Sequence, residues 1–307
     1  MIFFDYFKNK FFRIYCSNFN KDKLSMMNNN SSKSILVTGS SSGIGLCVAR
    51  DLHKLGWNVI ATCRDIKDCE ILSNQYGISS TVIDYSNEET IITGLNYTLE
   101  KTNGKIDVLF NNGAYGLPSL VEDIPVDSLR NIFETNFFGW HSLTNKVIPY
   151  MKAQGSGRII QNSSILGFMA LKYRGAYTAT KYAVEGLSDT LRMETEKHNI
   201  KVVIIQPGPI TTKFRENSYT QFIKSIRWEE SGNKEIYSNI IIPRLKDKNP
   251  KKIAFELLPD AVSKVVIHAC TSNNPKIRYR VTWATIIMMY LKRALTDKLF
   301  DRISSRL

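Results

Sequence analysis

The chain has 307 residues, of which 43% are hydrophobic and 22% charged, and its formal net charge is +13. These values are typical of a folded globular protein and exclude a wholly disordered or collagen-like chain. No apolar run approaches the ~20 residues of a spanning helix, which excludes a polytopic membrane protein. The 41 Lys and Arg residues form no long like-charged run and accompany no zinc-finger spacing. We therefore expect no nucleic-acid binding.

Residues 1–33 differ from the rest of the chain. They are rich in Phe, Tyr, Lys and Asn, and charges such as Asp5 and Lys8 interrupt every apolar run. A secretory signal needs an apolar core of about 7–15 residues, so this interpretation is disfavoured. We expect a disordered leader, or an over-long gene model whose true start is Met26 or Met27. A membrane-surface segment is the weaker alternative.

From residue 34 onward, short apolar runs alternate with stretches of helical periodicity. This alternation predicts an α/β architecture: one doubly wound parallel sheet of about seven strands with helices on both faces. A long helix is predicted over 126–150, and the domain over 34–283. The predicted strands are 35–37, 58–63, 81–83, 106–110, 158–162, 201–205 and 277–283.

Two segments depart from this rhythm. Residues 213–258 are mixed and polar, and we interpret them as a variable substrate lid. Residues 284–307 predict one amphipathic helix, which packs on the body, on a second subunit, or weakly on a membrane surface through its basic residues. Its apolar stripe is Ile287, Leu291, Leu295, Leu299 and Ile303.

Cysteine and histidine usage points to a reducing compartment and to no metal. The five cysteines are an odd number without a Cys-x-x-Cys pair, and the four histidines have no metal-ligand spacing. We expect a cytoplasmic protein without a disulfide framework or metal site.

A glycine-rich turn follows the first predicted strand and opens a helix. Glycines at such a turn let the backbone approach a pyrophosphate, which then lies on the helix N-terminus. The spacing is G-x-x-x-G-x-G rather than the commoner G-x-G-x-x-G. The candidate cofactor-binding residues here are Gly39, Ser41, Ser42, Gly43, Ile44 and Gly45.

Tyr177 and Lys181 are spaced i, i+4 on a predicted helix, so their side chains share a face. A nearby ammonium favours phenolate, and we expect it to lower the pKa of Tyr177. A phenol of this kind can exchange a proton with a carbonyl oxygen. The pair Tyr97 and Lys101 matches the same spacing without a supporting hydroxyl, and we interpret it as a chance match.

Two further polar residues accompany this pair. Ser164 ends the fifth predicted strand and Asn136 lies in the preceding long helix. Together with the glycine turn, the set resembles the short-chain dehydrogenase/reductase family, whose pattern is Thr-Gly-x-x-x-Gly-x-Gly, Asn-Asn-Ala-Gly, a helical Asn, a Ser and Tyr-x-x-x-Lys. The resemblance covers about residues 34–212 and is closest to the hydroxysteroid/retinol-dehydrogenase-like branch and to similar bacterial aldehyde reductases. It implies a Rossmann-type sheet.

The resemblance also implies a role for each catalytic candidate. Tyr177 is the general acid in reduction and the base in oxidation, and Ser164, rather than the adjacent Ser163, polarises the carbonyl. Lys181 holds the nicotinamide ribose and lowers the pKa of Tyr177. Asn136 positions a water that links Lys181 to solvent. Further cofactor contacts are implied at Asp84, Asn112, Gly113, Pro207, Gly208, Ile210 and Thr212, with the usual Ala-Gly order exchanged at Gly113–Ala114.

The end of the second predicted strand bears on the cofactor. An NAD enzyme usually places an acidic residue there for the ribose 2′-hydroxyl, but this chain has Cys63 followed by Arg64. A guanidinium suits a 2′-phosphate, so we predict NADP(H). Ser41 can add a hydroxyl contact. Asp65 is the dissenting residue, because it would repel the phosphate if it turned inward.

Apolar residues near the predicted site suggest a lipophilic substrate, although they can equally be core. We predict reduction of an aldehyde or ketone, with alcohol oxidation of hydroxysteroid or retinol type as the alternative. A non-catalytic nucleotide-binding regulator is the third hypothesis, and the resemblance implies a homo-oligomer. The apolar residues are Leu166, Phe168, Met169 and Leu171.

Overall fold

The computed structural model describes residues 32–247 and 254–307. The expectations for the leader concern residues 1–31 and lie outside this range, as does the part of the predicted lid at 248–253. The elements below all belong to one compact unit, Ser34–Leu307.

Seven parallel strands form a single sheet in the order β3-β2-β1-β4-β5-β6-β7. The predicted doubly wound sheet is therefore confirmed, with strand order reversing between β1 and β4. The strands are β1 Ser34–Val37, β2 Asn58–Cys63, β3 Ser79–Val82, β4 Val108–Asn111, β5 Gly157–Asn162, β6 Ile200–Gln206 and β7 Arg278–Arg280.

Helices cover both faces of the sheet and form the segment between β6 and β7. Short 3-10 turns accompany them, and π-helical turns occur at Glu134–Phe138 and Tyr237–Ile241. The α-helices are α1 Gly43–Lys54, α2 Ile66–Tyr76, α3 Glu88–Lys101, α4 Val126–Phe133, α5 Gly139–Ala153, α6 Gly175–Thr195, α7 Phe214–Ser225, α8 Lys234–Ile236, α9 Ile242–Lys246, α10 Pro259–Thr271, α11 Trp283–Ala294 and α12 Asp297–Ser304.

The core lies in two layers, one on each face of the sheet. In β1, Ile35 and Val37 join one layer and Leu36 joins the other, and all three are fully buried. Side chains alternate across a strand, so a strand covered on both faces is a continuous apolar run. This is why the strand positions could be predicted from short runs of Ile, Leu and Val.

Two predicted helices differ in the structure. The predicted helix over 126–150 is α4 and α5 joined by a π-helical turn. The predicted single helix over 284–307 is wrong: it is α11 and α12, because Leu295 and Thr296 are both extended, with ψ of 153° and 154°. No helix in the ranges 32–247 and 254–307 is long and apolar enough to cross a bilayer.

Candidate active site

The predicted site residues follow the carboxyl ends of four neighbouring strands. The glycine turn follows β1, Asn112 follows β4, Ser164 follows β5 and Pro207 follows β6. Because the sheet is parallel, these ends meet at one edge. The edge includes the point between β1 and β4 where the strand order reverses, the usual ligand crevice of such sheets.

The glycine turn is in close contact with the loops beside it. Gly39 has a φ of +63°, and a Cβ on it would lie 2.6 Å from the Cα of Gly113. Gly43 has a φ of +58°, and a Cβ there would lie 3.1 Å from Cγ2 of Thr212. Both positions therefore require glycine, for conformation and for space. The structure thus brings the glycine turn, Gly113 and Thr212 together.

Helix α1 begins at this turn without a side-chain cap. Ser42 is its extended N-cap residue, its side chain makes no capping hydrogen bond, and the first turn contains no acidic residue. The N–H groups of Gly43, Ile44 and Gly45 belong to the first turn, where helical N–H groups lack intrahelical partners. Together with exposed Ser41, this end of the helix fits the phosphates of a dinucleotide.

A chain of hydrogen bonds connects the glycine turn to Lys181. The Asn112 amide donates to the carbonyl oxygens of Thr38 and Gly39 at 3.0 and 3.1 Å. The Asn162 amide donates to Oδ1 of Asn112 at 2.8 Å. Nζ of Lys181 donates to the carbonyl oxygen of Asn162 at 2.8 Å. This chain of hydrogen bonds fixes the spacing between the glycine turn and Lys181.

Tyr177 and Lys181 lie one turn apart on α6, with Nζ of Lys181 5.5 Å from the centre of the Tyr177 ring. Lys181 is 1% exposed, and its Nζ lies 4.2 Å from the ring centre of Trp140. The chance pair Tyr97 and Lys101 has the same 5.5 Å distance. Its surroundings differ, because the Lys101 side chain is 43% exposed.

The expected lowering of the Tyr177 pKa by Lys181 does not occur in this structure. Burial raises the pKa of Tyr177, while a hydrogen bond from Ser164 and the charge of Arg174 oppose the rise. Burial also lowers the pKa of Lys181 to about 7, against the opposing charge of Glu185. The two shifts have the same cause, because burial penalises the charged form of each group.

Of the two adjacent serines, Ser164 faces the phenol. It interacts with Tyr177 and also accepts a hydrogen bond from the Leu166 N–H at 3.1 Å. Ser163 is 3% exposed, and its hydroxyl has no hydrogen-bond partner among the described residues. The structure thus brings Ser164, Tyr177 and Lys181 into one cluster.

Asn136 lies in the π-helical turn between α4 and α5, and it is fully buried. Its amide accepts from the Tyr115 N–H at 3.0 Å and donates to the Tyr115 carbonyl at 2.8 Å. A third contact joins it to the Thr180 hydroxyl at 3.3 Å. The side chain therefore fixes the loop after β4. Its expected role in holding a water remains a prediction.

The side chains that follow β2 and β3 differ in their exposure and in their hydrogen-bond partners. Arg64 is exposed. Asp65 caps helix α2 and accepts a hydrogen bond from the Lys67 N–H at 2.9 Å. Asp84, after β3, accepts from the N–H and hydroxyl of Ser86 at 2.9 and 2.7 Å. The carboxylate of Asp65 is thus engaged at the start of its own helix.

The segment after β6 is held on three sides. The Pro207 carbonyl accepts from the Ile165 N–H at 2.8 Å, which ties the segment to the end of β5. Gly208 lies against the hydroxyl of Thr282, where a side chain would collide. Ile210 pairs with Leu257 in an isolated parallel bridge. Thr212, at its end, accepts from the Phe214 N–H at 3.2 Å.

Apolar side chains from three parts of the chain surround Tyr177. Its ring meets that of Phe214 edge-on, with centroids 5.2 Å apart. Leu166 and Met169 pack with Met288 and Phe300 from the two C-terminal helices. The C-terminal segment therefore packs on the body beside the site. Leu299 and Ile303, from the predicted stripe, are instead 47% and 36% exposed.

Several contacts near the site were not predicted from the sequence. Burial raises the pKa of Tyr115 to about 12, and the nearby charge of Arg64 opposes this rise. Phe214 lies in the predicted lid over 213–258, but its ring contact with Tyr177 was not predicted. Arg174 precedes Tyr177 by three residues, but no motif marks it. Met288 and Phe300 reach the site only through tertiary packing.

Comparisons with known proteins agree with this fold and show the family. The family model for short chain dehydrogenases matches residues 33–222. The chain is 38% identical to the uncharacterized oxidoreductase YbbO of Escherichia coli, over 88% of this chain and 93% of that protein. It is 32% identical to the 3-ketodihydrosphingosine reductase of Bacteroides thetaiotaomicron, over 80% and 87% of the two chains. A short-chain dehydrogenase structure from Streptomyces avermitilis matches with a TM-score of 0.69 and 26% identity, covering 85% of this chain and 92% of that one.

A doubly wound sheet with a glycine turn at its switch point and a Ser-Tyr-Lys cluster beside it defines a class of dehydrogenases. The protein belongs to the short-chain dehydrogenase family of oxidoreductases. The resemblance seen in the sequence is thereby confirmed.

Proposed function

We propose that the protein is an NADP(H)-dependent reductase that converts an aldehyde or ketone on a lipophilic substrate to the alcohol. The observation that carries this proposal is the convergence of Ser164, Tyr177 and Lys181 at the crevice that begins with the glycine turn. The bound cofactor would supply the hydride. The residues of the chain would bind it, orient the carbonyl and deliver the proton.

Each residue of the cluster has a separate part in this proposal. The Tyr177 hydroxyl donates its proton to the carbonyl oxygen as the alcohol forms. The Ser164 hydroxyl donates a hydrogen bond to the same oxygen and so stabilises the charge that develops on it. Lys181, held by the Asn162 carbonyl at 2.8 Å, would hold the ribose next to the phenol.

The raised pKa of Tyr177 favours the reductive direction. A buried phenol keeps its proton at neutral pH and can act as an acid. Oxidation would need the same group as a base, and hence already deprotonated. The apolar surroundings of Tyr177 favour a lipophilic substrate. Additional support comes from the relative that is named a 3-ketodihydrosphingosine reductase, since that name describes reduction of a ketone.

The choice of NADP(H) rests on the residues after β2. Arg64 directly follows β2 and is exposed, and a guanidinium can bind a 2′-phosphate with two parallel hydrogen bonds. Asp65 would repel the phosphate only if it turned inward. Its carboxylate instead accepts a hydrogen bond from the Lys67 N–H and caps α2.

The test is an absorbance assay of NADPH consumption with long-chain aldehydes, retinal and ketosteroids, on the parent and on Tyr177→Phe. We expect turnover by the parent and a loss of at least ~100-fold in the variant, because a general acid contributes about that much or more. NADPH binding, followed by fluorescence, should survive. Tyr97→Phe is the matched control and should keep full activity, since its Tyr-Lys pair lies on α3, where Lys101 is 43% exposed. Equal turnover by Tyr177→Phe and the parent would exclude the assigned proton donor.

A further inference from the structure

Three arginines lie near one another at the start of α6, the helix that carries Tyr177. Arg174 is the N-cap residue of α6, three residues before Tyr177, and its charge acts on that phenol. Arg215 is the second residue of α7, next to Phe214, whose ring contacts Tyr177. Arg244 lies on α9. Both Arg215 and Arg244 are near enough to repel Arg174. The three come from different elements, so only the tertiary fold brings them together.

Two of these arginines line a cleft with two kinds of wall. The cleft is open to solvent, and the space inside it that a water molecule can reach is about 10 Å³. Arg174, Arg244 and Lys172 supply positive charge, while Ile240, Ile241 and Leu245 supply apolar surface. An opening of this size can take an oxygen atom of an anionic group at its mouth, but not the body of a substrate.

The positive charge of this cluster is not neutralised within the described chain. Among residues 32–247 and 254–307, no carboxylate forms an ion pair with Arg174, Arg215 or Arg244. Arg278 shows the contrast, since it pairs with Glu185 at 3.0 Å and Asp189 at 2.6 Å.

An unpaired cationic cluster beside an apolar wall is unfavourable by itself. Burial, and repulsion from Arg244 and Arg215, lower the pKa of Arg174 to about 10. An anion that entered the cleft would remove the repulsion and gain charge-assisted hydrogen bonds from the guanidinium groups.

We infer that Arg174, Arg215 and Arg244 bind an anionic group, a carboxylate or phosphate, carried by the carbonyl substrate. The anion would hold one end of the substrate while the carbonyl reaches Tyr177 and Ser164. This inference rests on the proposed reductase function and narrows its substrate class to lipophilic aldehydes or ketones with an acidic end. The planar guanidinium fork suits both anions, so the assay must distinguish them.

The experiment compares three aldehydes of equal chain length that end in a methyl group, a carboxylate or a phosphate monoester. The value of kcat/KM with NADPH is measured for the parent, Arg174→Gln, Arg215→Ala, Arg244→Ala and a control, Arg130→Ala. Arg130 lies on α4, its side chain is 71% exposed, and it pairs with Asp127. The control therefore removes one positive charge without touching the cluster.

We expect the parent to prefer at least one anionic aldehyde over the methyl-ended one by tenfold or more. The cluster variants should lower that ratio toward one, and Arg130→Ala should keep it. The preferred anion tells a carboxylate from a phosphate. Turnover of the methyl-ended aldehyde without anionic preference would overturn the anion site and leave the reductase function standing. An equal loss of preference in Arg130→Ala would also overturn it, because net charge alone would then explain the effect.

A second measurement decides the matter if no aldehyde is reduced, or if Arg174→Gln does not fold. Octanoate and octyl phosphate are titrated calorimetrically into the full chain with NADPH present, using Arg244→Ala as the variant, because Arg244 is exposed. Binding to the parent that weakens tenfold or more in Arg244→Ala supports the anion site, whatever becomes of the reductase. Absence of binding to the parent overturns it.

Discussion

The ammonium of Lys181 donates a hydrogen bond of 2.8 Å to the carbonyl oxygen of Asn162, at the end of β5. The Asn162 amide in turn donates a hydrogen bond to Asn112, and the Asn112 amide donates one to the Thr38 carbonyl oxygen, at the glycine turn after β1. One buried lysine therefore connects the helix that carries the proton donor with the loops that would hold the cofactor. Its burial has a measurable consequence for stability.

We predict that Lys181→Met changes the pH dependence of folding in the cofactor-free protein. The folded-state pKa of Lys181 is lowered to about 7 by burial, so the unfolded chain binds this proton more tightly. Burial of the charged lysine therefore lowers the free energy of unfolding of the parent. This destabilisation is complete below pH 7 and decreases as the pH rises toward the ordinary lysine pKa. Relative to the parent, the variant should gain roughly 2 kcal/mol as pH falls from 9 to 6.

Urea unfolding of both proteins at pH 6 and pH 9 measures this difference. Lys101→Met is the control, because its lysine is 43% exposed in the chance Tyr-Lys pair. It should show no such pH-dependent gain. A constant difference between Lys181→Met and the parent across this range would contradict the lowered pKa.

Gly113 stands where the family pattern has Ala, and we expect the protein to tolerate Ala at this position. A Cβ on Gly113 would meet Cε2 of Tyr85 at 3.4 Å, an ordinary contact. Gly113→Ala should therefore change the free energy of unfolding by less than about 0.5 kcal/mol. Gly39→Ala should cost more than about 1 kcal/mol, because its φ is +63° and its Cβ would lie 2.6 Å from a backbone atom. Thermal unfolding and NADPH titration of Gly113→Ala and Gly39→Ala test this prediction. Equal effects of the two substitutions would contradict the position of the glycine turn in the structure.

Removal of the Arg64 side chain should separate the two nicotinamide cofactors. We expect Arg64→Ala to weaken NADPH binding by about 10-fold or more and NADH binding little, since only NADPH carries a 2′-phosphate. Lys67→Ala is a suitable neighbour control, because Lys67 is exposed and its contact with Asp65 uses the backbone N–H. Dissociation constants for both cofactors decide the question. An equal loss for NADH and NADPH would remove the argument for a 2′-phosphate site.

The C-terminal helix α12 offers a direct test of which face is buried. Phe300 is 1% exposed and packs with Leu166 and Met169, whereas Leu299 is 47% exposed. Phe300→Ala should lower the free energy of unfolding by about 3 kcal/mol, and Leu299→Ala by less than 1 kcal/mol. Denaturant titration measures both. The reverse order would favour the apolar stripe predicted from the sequence over the packing in the structure.

The break between α11 and α12 explains why the apolar stripe predicted from the sequence does not form one buried face. Periodicity at i, i+4 assumes one continuous helix, but Leu295 and Thr296 are extended and reset the helical phase. Met288 and Phe300 then face the body, while Ile287 and Leu299 are partly exposed. Neither Gly nor Pro occurs there, and the local signal at the break is the weaker one of Thr296 as N-cap residue followed by Asp297 in the first turn of α12.

The sheet could be predicted because its signals are local. Strands covered on both faces are short apolar runs, as Ile35–Val37 shows, and the glycine turn has its own spacing. The site residues were identified in a different way. The i, i+4 spacing of Tyr177 and Lys181 on one helix is a weak signal by itself, and the resemblance to a known family added Ser164, which follows β5, and Asn136.

The sequence by itself determined the fold class, the order of the motifs and the residues that converge at the crevice. Only the tertiary structure decided the pKa shifts at that crevice, the packing of Met288 and Phe300 beside it, and the proximity of Arg174, Arg215 and Arg244. The physical reason is that burial and charge–charge interactions depend on residues that are distant in the chain. Spacing places Lys181 beside Tyr177, but the pKa of each is set by how completely the rest of the protein excludes water.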